Sequence, residues 1–210
     1  MTIPVHNVAI LIFDDVEVLD FAGPFEVFNV AREVVKPAPF PVFNVYTVGL
    51  NLQTVIARGG LRVQPNFSLS DCPATDILVV PGGAGTRRLL NHSILLDWLR
   101  KQATQVTLLT SVCTGALVLA AADLLPKGEA TTHHGAFDQL KLLSSEQTII
   151  EDRRYVQNGN VLTSGGISAG VDMSLMIVEA LHGKANADLV RAEMEWGWHS
   201  ETATNAVIVS

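Results

Sequence analysis

Three observations predict the fold class of this 210-residue chain: a single-domain α/β architecture with a mostly parallel sheet and helices on both faces. The run Val8–Phe13 is continuously apolar rather than alternating, as a strand covered on both faces requires, and Asp76–Val80 reads as another buried strand. Segments of helical period alternate with them, the order that builds parallel βαβ units. The length suits one domain, residues 1–210, whose core needs no disulfide staples.

Val8–Phe13 is the first strand, and Asp14 and Asp15 stop it. A helix follows over Phe21–Val35, then the loose stretch Lys36–Pro41, too short to be a linker between domains, and a strand at Val42–Val48. Gln53–Ala57 and Leu61–Gln64 flank Arg58-Gly59-Gly60 and read as a hairpin. The strand Asp76–Val80 runs into Pro81-Gly82-Gly83. Ile94–Gln102 is helical, with Asp97 and Arg100-Lys101 spaced for a wet face. Val106–Thr110 is a strand and Gly115–Leu125 a helix. The polar, Gly-containing centre Thr110–Gly115 argues against one membrane-spanning segment through Val106–Leu125. Glu129–Thr132 is a short strand and Gly135–Leu143 a helix. Arg153–Gln157 and Asn160–Thr163 flank Asn158-Gly159, a hairpin signal. Ser168–His182 and Ala185–Trp198 close the chain as helices.

Charged residues are 17% and hydrophobic ones 48%, which excludes disorder. Lys and Arg number 14 against 21 Asp and Glu, a net charge of −7, which works against a nucleic-acid partner. Cys72 and Cys113 form neither a disulfide framework nor a metal knuckle, and Met1–His6 shows no signal-peptide pattern. A reducing, cytoplasmic compartment is the expectation.

In parallel sheets ligands sit beyond the carboxyl ends of the strands. That rule selects Asp14–Gly23, Pro81-Gly82-Gly83, Ser111–Gly115 and Ser164-Gly165-Gly166. Cys113 lies in a tight strand-to-helix turn, the geometric logic of a nucleophile elbow, and the helix behind it is expected to lower its thiol pKa. A buried structural thiol is the bland alternative. Cys72, ahead of a strand, carries no such context. Asp20 is either a helix N-cap or a carboxyl that serves the thiol as general acid and base. Glu17, the rival carboxylate, is expected to be exposed. Gly82-Gly83 lacks phosphate-loop and dinucleotide spacing. His133-His134 are adjacent, so they should point apart, and no third ligand is spaced to help: no metal is expected. Trp196 and Trp198 read as core or subunit-interface residues.

With these residues in view, the chain resembles the ThiJ/PfpI superfamily, whose core is shared with class I glutamine amidotransferases. The matching stretches are Leu19–Pro24, Val80–Gly83, Thr110–Gly115, Ala130–His133 and Leu162–Asp172. Within the superfamily the isocyanide hydratase group is the most similar. The resemblance implies a flavodoxin-like three-layer sandwich and a homodimer. It also implies Cys113 as nucleophile, Asp20 as its carboxyl partner, and Gly83 and Thr114 as backbone amides around an anion pocket. It implies cofactor-free conversion of a small-molecule isocyanide plus water to an N-formamide, with no metal, nucleic acid or membrane involved. Glutathione-independent glyoxalase or deglycase activity, or a non-enzymatic ligand- or redox-sensing role, are the other readings. Protease-like members place a His directly after the Cys. Here that position is Thr114, against peptidase activity. The regulator subgroup adds a basic helix-turn-helix module, for which an acidic chain ending at Ser210 offers no place.

Overall fold

The computed structural model describes residues 4–33 and 40–197. Its main sheet has seven strands. They are β1 His6–Ile12, β2 Phe43–Gly49, β3 Phe67–Ser68, β4 Ile77–Val80, β5 Leu108–Val112, β6 Tyr155–Asn158 and β7 Val161–Ser164. Across the sheet they run β6-β7-β5-β4-β1-β2-β3. Every pairing is parallel except the β6–β7 hairpin. The chain leaves β1 toward β2 on one side and returns to β4 on the other. The crevice at the carboxyl ends of β1 and β4 is thus a topological switch point, where such sheets bind ligands.

The helices are α1 Val18–Val30, α2 Thr86–Leu89, α3 Ser93–Ala103, α4 Gly115–Ala121, α5 Phe137–Leu143, α6 Ala169–His182 and α7 Lys184–Glu193. α1 and α6 pack together, with α7 against both. On the other face α2, α3 and α5 gather round α4. Between these layers Ile10, Leu78, Leu109, Phe28 and Leu119 are fully buried. Burying side chains of this kind stabilises the fold by about 1.5–3 kcal/mol each. α4 is buried along almost its whole length, which explains why its sequence is apolar all round.

The element boundaries differ from expectation in four informative places. α1 starts at Val18 and stops at Val30, not at Val35. Ala31 leaves helical geometry, the Arg32 guanidinium bonds the carbonyls of Asn29 and Ala31, and Arg32–Glu33 pairs with Phe40–Pro41. Val34, Val35 and most of the Pro-rich stretch lie outside the described residues. β5 runs to Val112 because its register is set on both sides, Val80 opposite Ser111 and Ser164 opposite Val112. The expected strand at Glu129–Thr132 contributes only Gly128–Ala130, which pairs with Gln147–Ile149 in a separate ribbon. The last helix ends at Glu193, and Trp198 lies outside the described residues. No described helix is long and apolar enough to cross a membrane.

Candidate active site

All four carboxyl-end loops picked from the sequence converge on Cys113. β5 ends at Val112, and Cys113 turns the chain toward α4 with φ of 58°. A side chain in this left-handed region is strained by about 1–3 kcal/mol, so the surroundings must hold it there. They do so with hydrogen bonds. The Cys113 N–H donates to the carbonyls of Ser164 (3.1 Å) and Gly165 (3.0 Å). Its own carbonyl accepts from the Thr132 hydroxyl at 2.7 Å. Two glycines permit the close approach of loops. A Cβ on Gly115 would sit 1.9 Å from the Val80 carbonyl oxygen, and one on Gly82 would sit 2.5 Å from the Thr114 nitrogen.

Asp20 is the third residue of α1 and is fully buried. Its carboxylate does not cap the helix. Glu17 occupies the N-cap position, and Asp20 reaches across the crevice instead. Oδ2 accepts from the Gly82 N–H at 3.1 Å and Oδ1 from the Ile167 N–H at 2.8 Å. The carboxyl also shares a hydrogen bond with the Cys113 thiol. Burial raises the Asp20 pKa to about 6, against the opposing pull of the Ile167, Cys113 and Gly82 bonds.

The thiol does not have the lowered pKa expected from the helix behind it. Burial, followed by the nearby Asp20 charge, pushes Cys113 up to about 12. The Thr114 N–H works in the other direction and is outweighed. Removing a thiolate from water beside a carboxylate costs more than one short helix end returns. Burial thus disfavours the charged form of both groups, and the negative charge of either one opposes ionisation of the other.

A cavity of about 440 Å³ opens over this pair, lined by residues that include Glu17, Arg58, Arg87, Thr114, His133 and Ile167. Glu17 is not the exposed loop residue expected. Its side chain keeps only 17% of its accessible surface and pairs with Arg58 from the hairpin. Gly83 lies at the cavity as the resemblance implied, but its N–H is engaged by the Thr114 hydroxyl at 3.0 Å. His133 and His134 do not point apart. They stand on a 3₁₀ turn rather than a strand, and their ring centroids are 4.2 Å apart. His133 Nδ1 accepts from the Gly135 N–H, so its other nitrogen carries the proton when the ring is neutral. Burial comes first in lowering the His133 pKa.

Several contributors were invisible in the sequence. Ile167, with φ of 58°, supplies a backbone donor that no side-chain motif announces. Arg58 and Arg87 reach the cavity from a hairpin and a one-turn helix. Cys72 is half-buried in a loop outside this cavity, beside Thr75. Trp196 packs on the core and donates to Asp172 at 2.9 Å. Among the described residues no cluster of three His, Cys, Asp or Glu side chains is placed to hold a metal.

The model of the DJ-1/PfpI family matches residues 6–180. The isonitrile hydratase of Pseudomonas putida is 39% identical over 190 residues, covering 90% of this chain and 78% of that protein. An HTH-type transcriptional regulator of Pseudomonas aeruginosa, GbdR, is 26% identical over 85% of this chain and 47% of its own length. Among solved structures, a ThiJ/PfpI family protein from Pseudomonas syringae superposes with a TM-score of 0.83 at 26% identity, covering 96% of this chain and 79% of that one.

Proposed function

We propose that this chain, which belongs to the DJ-1/PfpI family, is a cofactor-free isonitrile (isocyanide) hydratase with Cys113 as nucleophile and Asp20 as the single acid and base. The observation that carries the reading is the buried Asp20 carboxyl, fixed by the Gly82 and Ile167 N–H groups beside the buried Cys113 thiol. Adding a thiol across an isonitrile carbon needs a proton taken from sulfur and delivered to carbon, and one carboxyl in contact with both can do each.

In the first half-reaction the Asp20 carboxylate accepts the Cys113 proton as Sγ bonds to the terminal carbon of the isonitrile. The same proton passes to that carbon, which leaves a neutral thioimidate and a carboxylate. The Thr114 N–H supports the charge on sulfur as the proton departs. Gly83, through its bond to the Thr114 hydroxyl, holds that residue in position. In the second half-reaction water gives a hydroxyl to the carbon and a proton to the nitrogen. The C–S bond then breaks, the hydroxyl proton returns through Asp20 to sulfur, and an N-formamide leaves. Isonitrile plus water equals N-formamide, with enzyme and proton restored.

The reading extends to one domain over 1–210 acting as a cytoplasmic homodimer. Light scattering at micromolar concentration tests the assembly. The decisive assay offers the purified protein a small isonitrile, methylglyoxal and a peptide side by side. Formamide production from the isonitrile alone is expected. Turnover of methylglyoxal without the isonitrile would replace this reading by a glyoxalase. No turnover of any of the three would favour a sensing domain.

A further inference from the structure

The ionisable groups around the cavity carry no net charge between them, but they are not all paired with one another. Glu17 and Arg58 neutralise each other. His133 has its pKa lowered and is neutral near pH 7. The Asp20–Cys113 pair contributes its one negative charge at the cavity floor, already spread over backbone donors. Arg87 is left. Its neighbour Arg88 pairs with Asp15 at 2.9 Å, but Arg87 has no carboxylate partner among the described residues. Its guanidinium is held by neutral acceptors only: the Gly83 carbonyl (3.4 Å), the Thr86 hydroxyl (3.2 Å) and the Gln139 side-chain oxygen (3.0 Å). The side chain is therefore positioned without being neutralised. Its charge is felt inside the cavity, where it helps lower the His133 pKa.

From this geometry we infer that Arg87 is a specificity residue that selects isonitriles carrying a carboxylate on the substituent behind the reacting group. The inference rests on the hydratase reading for the identity of the reacting group. A guanidinium with unused N–H donors at a cavity wall matches a carboxylate in charge and in planar fork geometry. The cavity, about 440 Å³, falls within the usual range for small-molecule pockets. An anion entering it meets a cation that has no carboxylate partner among the described residues, while the terminal isonitrile carbon is directed to Sγ.

Two measurements test this and separate its failure from that of the hydratase reading. The first compares kcat/KM for isocyanoacetate with that for its methyl ester, in the wild-type protein, Arg87→Gln and Arg87→Lys. The wild type should prefer the acid. The preference ratio should fall about tenfold in Arg87→Gln, the loss of one charge-assisted contact at a solvent-exposed site, and only in part in Arg87→Lys, which keeps the charge and loses the planar fork. The second needs no turnover. Alkylation of Cys113 by iodoacetate and by iodoacetamide, reagents of similar size and different charge, is followed by mass spectrometry with Cys72 as the internal reference. The iodoacetate-to-iodoacetamide ratio at Cys113 should exceed that at Cys72. It should drop several-fold in Arg87→Gln and shrink with added salt. Turnover of both isonitriles with ratios that Arg87→Gln leaves unchanged would overturn the inference and leave the hydratase standing. Charge selection at Cys113 with no turnover of either isonitrile would overturn the hydratase reading and the substrate named here.

Discussion

The chain has two thiols, and each has a carboxyl next to it, yet the two carboxyls are shifted in opposite directions. In the loop around Cys72 the neighbouring acid is Asp71, exposed, with Oδ1 accepting from the Ser68 N–H at 2.7 Å and from the Ser68 hydroxyl. Those bonds hold its pKa below the ordinary value, so it stays an anion. In the elbow around Cys113 the acid is Asp20, also bonded to two donors but fully buried, and burial wins: its pKa rises to about 6. Both thiols are raised, each chiefly by burial. The difference thus lies less in the cysteines than in their carboxyls. A bonded carboxylate in water is a fixed charge, whereas a bonded carboxyl out of water is a proton carrier.

Replacing the sulfurs makes the largest test of this contrast. Cys113→Ala should abolish formamide production, because no thioimidate can form. Cys72→Ala should retain most of it, since that thiol lies outside the cavity, with Thr75 and the Pro73 carbonyl as its hydrogen-bond partners. A steady-state assay on both variants, with folding checked by circular dichroism, decides the matter. Residual turnover in Cys113→Ala comparable to wild type would remove the nucleophile from the mechanism.

The carboxyls come next. Asp20→Asn keeps the shape of the side chain and removes proton transfer, so kcat should fall by about 10²–10⁴-fold. Asp71→Asn should leave kcat near the wild-type value. Were Asp20 merely an element of helix structure, its amide variant would turn over almost as fast as the parent. That result in a well-folded protein would sink the acid–base assignment.

The two regions were not equally legible in the sequence. The elbow could be read because its components are local: a buried apolar run, a Cys one residue beyond its end, then Gly115 and an apolar helix. The fold class followed from the same alternation. What makes the elbow chemically different from the Cys72 loop is not local. Asp20 and Ile167 are far apart in sequence and meet only through the strand order that places β1, β4, β5 and β7 side by side. The raised thiol pKa escaped for the same reason, since a helix N-terminus is visible in a sequence and burial against a distant carboxyl is not. Gly83 shows the converse. Its identity marked a tight approach, yet its amide turned out to be spent on the Thr114 hydroxyl.

The smallest effect sharpens the comparison through folding stability rather than rate. Asp20 has a folded-state pKa of about 6 against 3.8 for an ordinary aspartate. The native state therefore binds its proton more tightly than the unfolded chain does. Below the lower value both states are protonated and Asp20 adds no pH dependence. As pH rises between the two values the unfolded chain ionises first, and the native state loses stability. Above the upper value the loss is complete, about 3 kcal/mol at full weight. Asn cannot titrate, so the stability of Asp20→Asn relative to wild type should climb by up to about that amount from pH 4 to pH 7.5. Asp71 has the opposite sign. Its pKa is depressed, so its contribution is present above the unfolded value and fades as pH falls through the folded one. Asp71→Asn should therefore lose stability relative to wild type as pH rises over the acid range, by a small amount because the group is exposed. Urea melts of the three proteins across that window read both slopes. If Asp20→Asn and wild type ran parallel from pH 4 to pH 7.5, Asp20 would not titrate as a buried carboxyl. The proton-carrier account of the Cys113 elbow would then fail, while the Cys72 loop stood as described.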